Sequence, residues 1–167
     1  MPRNWRWFAL AAAIVVADQV AKWAMLGSFA PGERRALTGF FNLVLVFNKG
    51  AAFSFLADAP GWQTPLLVVF SLVAAVIVSV LLFRSPGRPM FYAGPALILG
   101  GALGNVIDRL RFGQVVDFLD FHAMGWHWPA FNVADSMIVV GVCFIVGIEL
   151  FGKREAKPPS VAAGEPA

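Results

Sequence analysis

Apolar residues gather into four long blocks, residues 7–26, 66–83, 90–107 and 133–151, and charge, proline and glycine return between them. Each block approaches the roughly 20 apolar residues that a helix needs to cross a bilayer. The pattern predicts an all-α integral membrane protein with four transmembrane helices and a small β-sheet-containing segment outside the membrane. Composition agrees, since 59% of the residues are hydrophobic and 14% charged, against roughly 25% charged in soluble domains. The first block has the outline of a cleavable signal peptide, with Arg3 and Arg6 before the apolar run 7–17 and small residues after it. Against that, the apolar pattern resumes beyond Asp18-Gln19 and reaches spanning length at Leu26. Cys143 is the one cysteine; it excludes an intrachain disulfide and a cysteine metal cage, and is expected to pack as a small hydrophobe.

Charge sets the orientation. If four helices alternate, Arg3 and Arg6, then Arg84 and Arg88, then Lys153, Arg154 and Lys157 all fall on one side, and that side is cytoplasmic. Both termini are then inside, and the connections 27–65 and 110–132 lie outside with basic residues spread more thinly. The formal net charge of +3 fits this placement better than nucleic-acid binding. One membrane-embedded domain over residues 1–152 is expected, followed by a disordered cytoplasmic tail, 153–167, rich in Pro, Ala and charge. In the first outer connection, residues 40–47 and 51–56 are β-favouring runs around Asn48-Lys49-Gly50, which suits a small sheet on the membrane surface. The second holds Phe112, Phe118, Phe121, Trp126, Trp128 and Phe131, a density of aromatics expected at headgroup depth.

Ionisable residues inside a membrane helix are costly, so each is a functional candidate with a partner to be found. Asp18 and Lys22 are spaced i,i+4 on one helix face, where the carboxylate neutralises the ammonium; a purely structural ion pair is the plain alternative. In the third block, Gly101, Asn105 and Asp108 fall within a stripe roughly 60° wide, so a close-packing glycine face merges into a polar one. Helix packing accounts for the glycines. It accounts less well for an amide, a carboxylate and a guanidinium at Asn105, Asp108 and Arg109.

Asp117 then follows the third block between apolar neighbours, and Asn132 and Asp135 open the fourth with the spacing of an N-cap and its third helical residue. Capping alone is one explanation. Topology offers another: Asp117 and Asp135 stand at adjacent helix ends near the outer interface. Two facing carboxylates in a partly desolvated site tend to share one proton, so one serves as base towards an attacking water and the other as acid towards the developing oxyanion.

The series Asp18-Gln19-x-x-Lys22, Asn48-x-Gly50-Ala51-Ala52-Phe53-Ser54, Gly100-Gly101-x-x-Gly104-Asn105-x-x-Asp108-Arg109, Val116-Asp117-Phe118 and Phe131-Asn132-x-Ala134-Asp135 resembles the ordered boxes of the lipoprotein signal peptidase (signal peptidase II) family. Any one box is weak; five in order are specific. The resemblance implies a bacterial inner-membrane aspartic endopeptidase that removes the signal peptide from diacylglyceryl-modified prolipoproteins, cutting before the lipidated cysteine. It implies a catalytic pair at Asp117 and Asp135. It further implies site-shaping or substrate-binding roles for Asp18, Lys22, Asn48, Gly101, Asn105, Asp108, Arg109 and Asn132. No cofactor, metal or nucleic acid is implied; membrane lipids are expected partners, and a monomer is expected to suffice.

Other chemistries fit less well. There is no His-Glu-x-x-His and no Gly-x-Ser-x-Gly. His122 and His127 with Asp117 or Asp120 are conceivable metal ligands, although polar residues in an aromatic-rich interfacial loop are the commoner case. A proton-coupled carrier would also use intramembrane Asp, Lys and Arg, but it needs such groups toward both faces, and here Asp108, Asp117 and Asp135 crowd one. A non-catalytic membrane scaffold explains the glycines and leaves the two aspartates without a role.

Overall fold

A computed structural model describes residues 4–50, 61–84 and 90–151. The elements run α1 (Trp5–Ser28), β1 (Arg34–Ala36), β2 (Phe41–Asn48), α2 (Gln63–Arg84), α3 (Met90–Phe112), β3 (Val115–Ala123), β4 (Trp126–His127) and α4 (Val133–Phe151). Arg3, the run 51–56 with its box residues, Arg88 and the tail 153–167 lie outside the described residues.

Each apolar block forms a helix. Three of them, α1, α2 and α4, are long and apolar enough to cross a membrane. Their outward faces carry apolar side chains, among them Val69, Phe70, Val76 and Ile77 of α2 and Val139 and Leu150 of α4, all exposed. Such surfaces suit lipid, where every backbone polar group must be satisfied inside the helix itself. Cys143 corrects the expectation of a packed thiol: it is exposed on α4, because Gly141, two residues earlier, is the position that turns inward.

The helix α3 differs. It is long enough to cross as well, about 34 Å at 1.5 Å per residue, but its last third carries Asn105, Asp108, Arg109 and Arg111. Its position permits them. It packs against α1, α2 and α4 together, and Tyr92, Ala96, Leu99, Ala102, Asn105, Val106 and Asp108 are all buried. A helix shielded by three others has no need of an apolar surface all round, so glycine and polar residues can occupy it. Gly101 marks the closest approach: a Cβ there would collide with the Ala134 carbonyl oxygen and lie 2.8 Å from Ile138 Cγ1. The helix also runs five residues past the expected end at Ile107, since Asp108 and Arg109 sit within it rather than capping it.

Both connections that carry the sheet gather at one end of the bundle, beyond the C-termini of α1 and α3 and the N-termini of α2 and α4. The sheet is antiparallel, in the order β1-β2-β3-β4. The run 40–47 does form a strand, β2, but its partners are β1 and, from the other outer connection, β3. The sheet therefore ties the two connections together. Met25, Leu45, Val116 and Phe118 form the core that fixes it to the end of α1. Gly113 makes the turn from α3 into β3, with φ +71° and its N–H donating to the Arg109 carbonyl at 3.0 Å; a side chain is disfavoured in that left-handed conformation.

Candidate active site

Two features of the sheet deliver Asp117 to its neighbours. Asp117 pairs with Val46 across β2–β3, so Asn48, two residues along on the same face, is its diagonal neighbour; Asn48 Nδ2 donates to Asp117 Oδ2 at 3.0 Å. Beyond β4, Phe131 bridges to Leu119, exchanging N–H···O bonds of 2.8 and 3.1 Å. That bridge carries Asn132 against Asp117 just before α4 begins. The buried Asn132 amide donates to Asp117 Oδ1 at 2.7 Å, to Asn105 Oδ1 at 3.1 Å and to the Val116 carbonyl at 3.2 Å.

Asp135 is tied to the same asparagine. Its backbone N–H donates to Asn132 Oδ1 at 2.9 Å, while its Oδ2 accepts from the Asn132 N–H at 3.3 Å, a reciprocal capping arrangement. Its Oδ1 accepts from Asn105 Nδ2 at 2.7 Å. The capping contacts are therefore present, and the same residue lies near enough for its charge to act on Asp117. The described side-chain and backbone bonds to the two carboxyl groups all come from N–H donors, which suits negative charge.

Behind Asn105 lies a buried ionic cluster. Lys22 Nζ donates to Asp18 Oδ2 at 2.8 Å, Asp108 Oδ2 at 2.7 Å and Asn105 Oδ1 at 3.1 Å, so each ammonium proton has a partner. Asp18 Oδ1 accepts from the Ala134 N–H at 2.9 Å, and Asp108 Oδ2 accepts from the Val116 N–H at 3.1 Å. The cluster joins α1, α3, β3 and the start of α4. Arg109 borders it: its charge faces Asp135, Asp117 and Asp108, yet its Nε is buried without a hydrogen-bond partner among the described residues.

Asp117, on the strand, has its carboxyl pushed up from 3.8 to about 7. Burial is the chief cause and the nearby Asp135 charge the second; the bonds from Asn48 and Asn132 oppose them. A carboxyl titrating near neutral pH holds a proton it can give. A cleft of about 400 Å³ opens onto Asp117, lined by Val46, Phe47, Asn48, Lys49, Pro129 and Ala130. Its lining mixes apolar side chains with Asn48, Lys49 and the Asp117 carboxyl, which suits a ligand that has both apolar and hydrogen-bonding groups.

The comparisons with known proteins converge. The family model described as signal peptidase (SPase) II matches residues 10–151. The chain belongs to the signal peptidase II family. It is 54% identical over 144 residues to the lipoprotein signal peptidase of Paraburkholderia phytofirmans, covering 86% of this chain and 84% of that one. It is likewise 54% identical to the lipoprotein signal peptidase of Ralstonia nicotianae, covering 86% and 83%. A solved bacterial membrane enzyme superposes with a TM-score of 0.76 at 27% identity, covering 89% of this chain and 94% of that one.

Within this signal peptidase II chain, the residues singled out from the sequence fall together, except that Gly101 acts through packing alone and Arg109 stays at the edge. Gln19 had no role assigned. Its Nε2 donates to Asp108 Oδ1 at 2.9 Å and to the Gly104 carbonyl at 3.2 Å, and the signal for it was its place beside Asp18 in the first box. A second polar network was not foreseen. Asp120, buried in β3, accepts from Asn42 Nδ2 at 2.8 Å and pairs with His127 Nδ1 at 2.8 Å and Arg34 Nε at 3.3 Å. These partners hold the Asp120 carboxyl below its ordinary range despite burial. His127 is thus engaged with Asp120, its ring stacked on His122 at 4.9 Å, and Asp117 has asparagine neighbours instead.

Proposed function

We propose that the chain is a membrane aspartic endopeptidase that removes the signal peptide from diacylglyceryl-modified prolipoproteins, with Asp117 and Asp135 as its catalytic pair. The observation that carries this reading is the convergence of both carboxyls on Asn132, by side chain to Asp117 and by backbone to Asp135. One member ionised and one protonated, the pair activates water on one side of a peptide carbonyl and protonates its oxygen on the other. No covalent intermediate forms. Asn48, Asn105 and Asn132 orient the pair; Asp18, Lys22 and Asp108 brace Asn105; Gly101 lets α4 approach; Arg109 borders the site.

In the membrane, α3 is the fourth crossing, within the ring of α1, α2 and α4. Arg6 and Arg84 mark the cytoplasmic end and the sheet the outer one, in a bacterial inner membrane. The scissile bond beside a lipid-bearing cysteine would then lie at the depth of Asp117. Burying acyl chain stabilises by about 0.8 kcal/mol per CH₂, so the lipid can hold that bond in place and turn positioning into rate. One monomer holds every residue of the site. All these polar groups gather at the sheet end, which gives a proton carrier no second face to release to.

The test uses purified protein in detergent and one precursor made with and without diacylglycerol on its cysteine. Wild type is expected to cleave the lipidated form, with Asp117→Asn and Asp135→Asn each losing nearly all turnover. Either variant retaining near wild-type rate removes the catalytic assignment; equal kcat/KM for both precursors removes the lipid requirement alone.

A further inference from the structure

The carboxyl pair looks symmetric until the groups behind its donors are traced. Three carboxamides point N–H groups at it, and each is pinned by a group that can only donate, which fixes which end of the amide faces the acid. Asn48 Oδ1 accepts from the Gly50 N–H at 2.8 Å, and Asn132 Oδ1 from the Asp135 N–H at 2.9 Å. Both of these are neutral backbone groups. Asn105 Oδ1 accepts from the Lys22 ammonium at 3.1 Å, and its Nδ2 donates to Asp135 Oδ1 at 2.7 Å. A buried full charge therefore stands behind the amide that serves Asp135. Lys22 is 1% exposed and Asp18 0%, so solvent screens this path little.

We propose that Lys22 is a positioning residue that acts through the oriented Asn105 carboxamide to hold the negative charge on Asp135, making Asp135 the base and leaving Asp117 as the acid. The proposal rests on the peptidase reading and divides its labour. As the water oxygen bonds to the peptide carbon, Asp135 takes a water proton, and the carbonyl oxygen receives the proton of Asp117. On collapse the C–N bond breaks, the leaving nitrogen takes the proton from Asp135, and one hydroxyl of the gem-diol returns its proton to Asp117. Both groups end as they began. Asp117 opens onto the 400 Å³ cleft where a carbonyl oxygen would enter, as the acid should.

Other charges face Asp135 and must be counted: Lys22 and Asp18 from α1, Arg109 from α3 and Asp117 from β3; the Lys22 charge reaches Asp117 too, but the amide that takes the ammonium donates to Asp135. Asp108, which shares the ammonium with Asp18 and Asn105, offers the means to vary the field without touching Lys22. Neutralising Asp108 leaves more of the positive charge uncompensated, and neutralising Lys22 removes it. The two changes should move the base in opposite directions.

The experiment measures kcat/KM against pH for the full-length enzyme with a lipidated precursor, comparing wild type, Lys22→Gln, Asp108→Asn and Lys22→Arg. The acid limb, where rate rises as the base ionises, is expected about one pH unit higher in Lys22→Gln and lower in Asp108→Asn, with KM held. Below the limb, one unit is a roughly tenfold change in rate. Lys22→Arg should restore the wild-type limb. A limb that stays fixed, or moves the same way in both variants, overturns the proposal, because a merely structural role lowers rates without opposite shifts. If Lys22→Gln does not fold, the downward shift in Asp108→Asn decides alone. Retained cleavage in Asp117→Asn or Asp135→Asn is a different outcome and refutes the peptidase reading itself.

Discussion

Asn132 is where the fold and the chemistry meet, and its replacement separates the two. Its Oδ1 caps α4 by accepting the Asp135 N–H at 2.9 Å, and its Nδ2 reaches Asp117 Oδ1 at 2.7 Å. Asn132→Ala loses the cap, worth about 1 kcal/mol, and one bond to a carboxyl, worth about 1.5–3 kcal/mol when charged. The Val116 carbonyl loses a donor as well. A total destabilisation of about 3–4 kcal/mol follows, with kcat down by about a hundredfold as both carboxyls drift from register. Asn132→Ser is the informative comparison. Its hydroxyl can restore the cap but is too short to hold Asp117, so it should regain about 1 kcal/mol of stability and almost none of the rate. Because the lost bond is one that lowers the Asp117 carboxyl, the alkaline limb of the rate profile should move up in both variants. Thermal unfolding in detergent and kcat/KM across pH 5–9 read the two effects. If the serine variant recovers rate in proportion to stability, Asn132 is a helix cap and no more, and the reasoning fails.

Three further outcomes are expected. Asp117 binds a proton in the folded state between about 3.8 and 7 that the unfolded chain releases, so wild-type stability should fall as pH rises through that window, by up to about 4 kcal/mol. Asp117→Asn should flatten that dependence and unfold at higher temperature than wild type above pH 7, less about 1 kcal/mol for amide donors left facing Asn48 and Asn132; a slope unchanged by the substitution would mean another group titrates there. His127→Gln should cost about 1 kcal/mol through the Asp120 network and leave kcat within a fewfold, since among the described residues the bonds of Asp120 run to Asn42, His127 and Arg34; a kcat loss like that of Asn132→Ala would show the networks to be coupled. Reporters fused after Arg88 and Lys157 should read cytoplasmic and those after Asp58 and Ala123 outside; an Asp58 fusion reading cytoplasmic would place the carboxyls in the wrong compartment.

The helices were legible because lipid imposes long apolar runs, and the block at 133–151 matches α4 residue for residue. The pairing of the strands was not. The run at 40–47 is locally β-like, but its partner β3 comes from the other side of two helices, and local pattern carries no information about a partner so distant. The aromatic residues of that second connection were read as interfacial, which hid the strand containing Phe118 and Phe121. The site shows the same division. Asp18 and Lys22 are visible as a pair at i,i+4 spacing; the third member, Asp108, reaches them only through the packing of α1 on α3. Asn132 and Asp135 announce a cap. That the cap also grips Asp117 depends on the Phe131–Leu119 bridge, which nothing in the spacing predicts.

The helix that packs against the other three and the cluster of buried polar side chains are one place for one physical reason. A charged or amide side chain facing lipid is expensive, so chemistry of this kind needs a helix that meets protein on most sides. Shielding α3 by α1, α2 and α4 meets that need, and close approach then demands small residues such as Gly101 and Gly104, where added Cβ atoms would collide with Ala134 and Asp18 respectively. Those glycines bring Asp18 and the start of α4 within reach of Lys22 and Asn105. Amide and charged side chains gathered at one end of one helix in an apolar bundle are therefore informative in themselves: they mark the helix that the other three shield, and the groups packed against that end are the first place to look for a site.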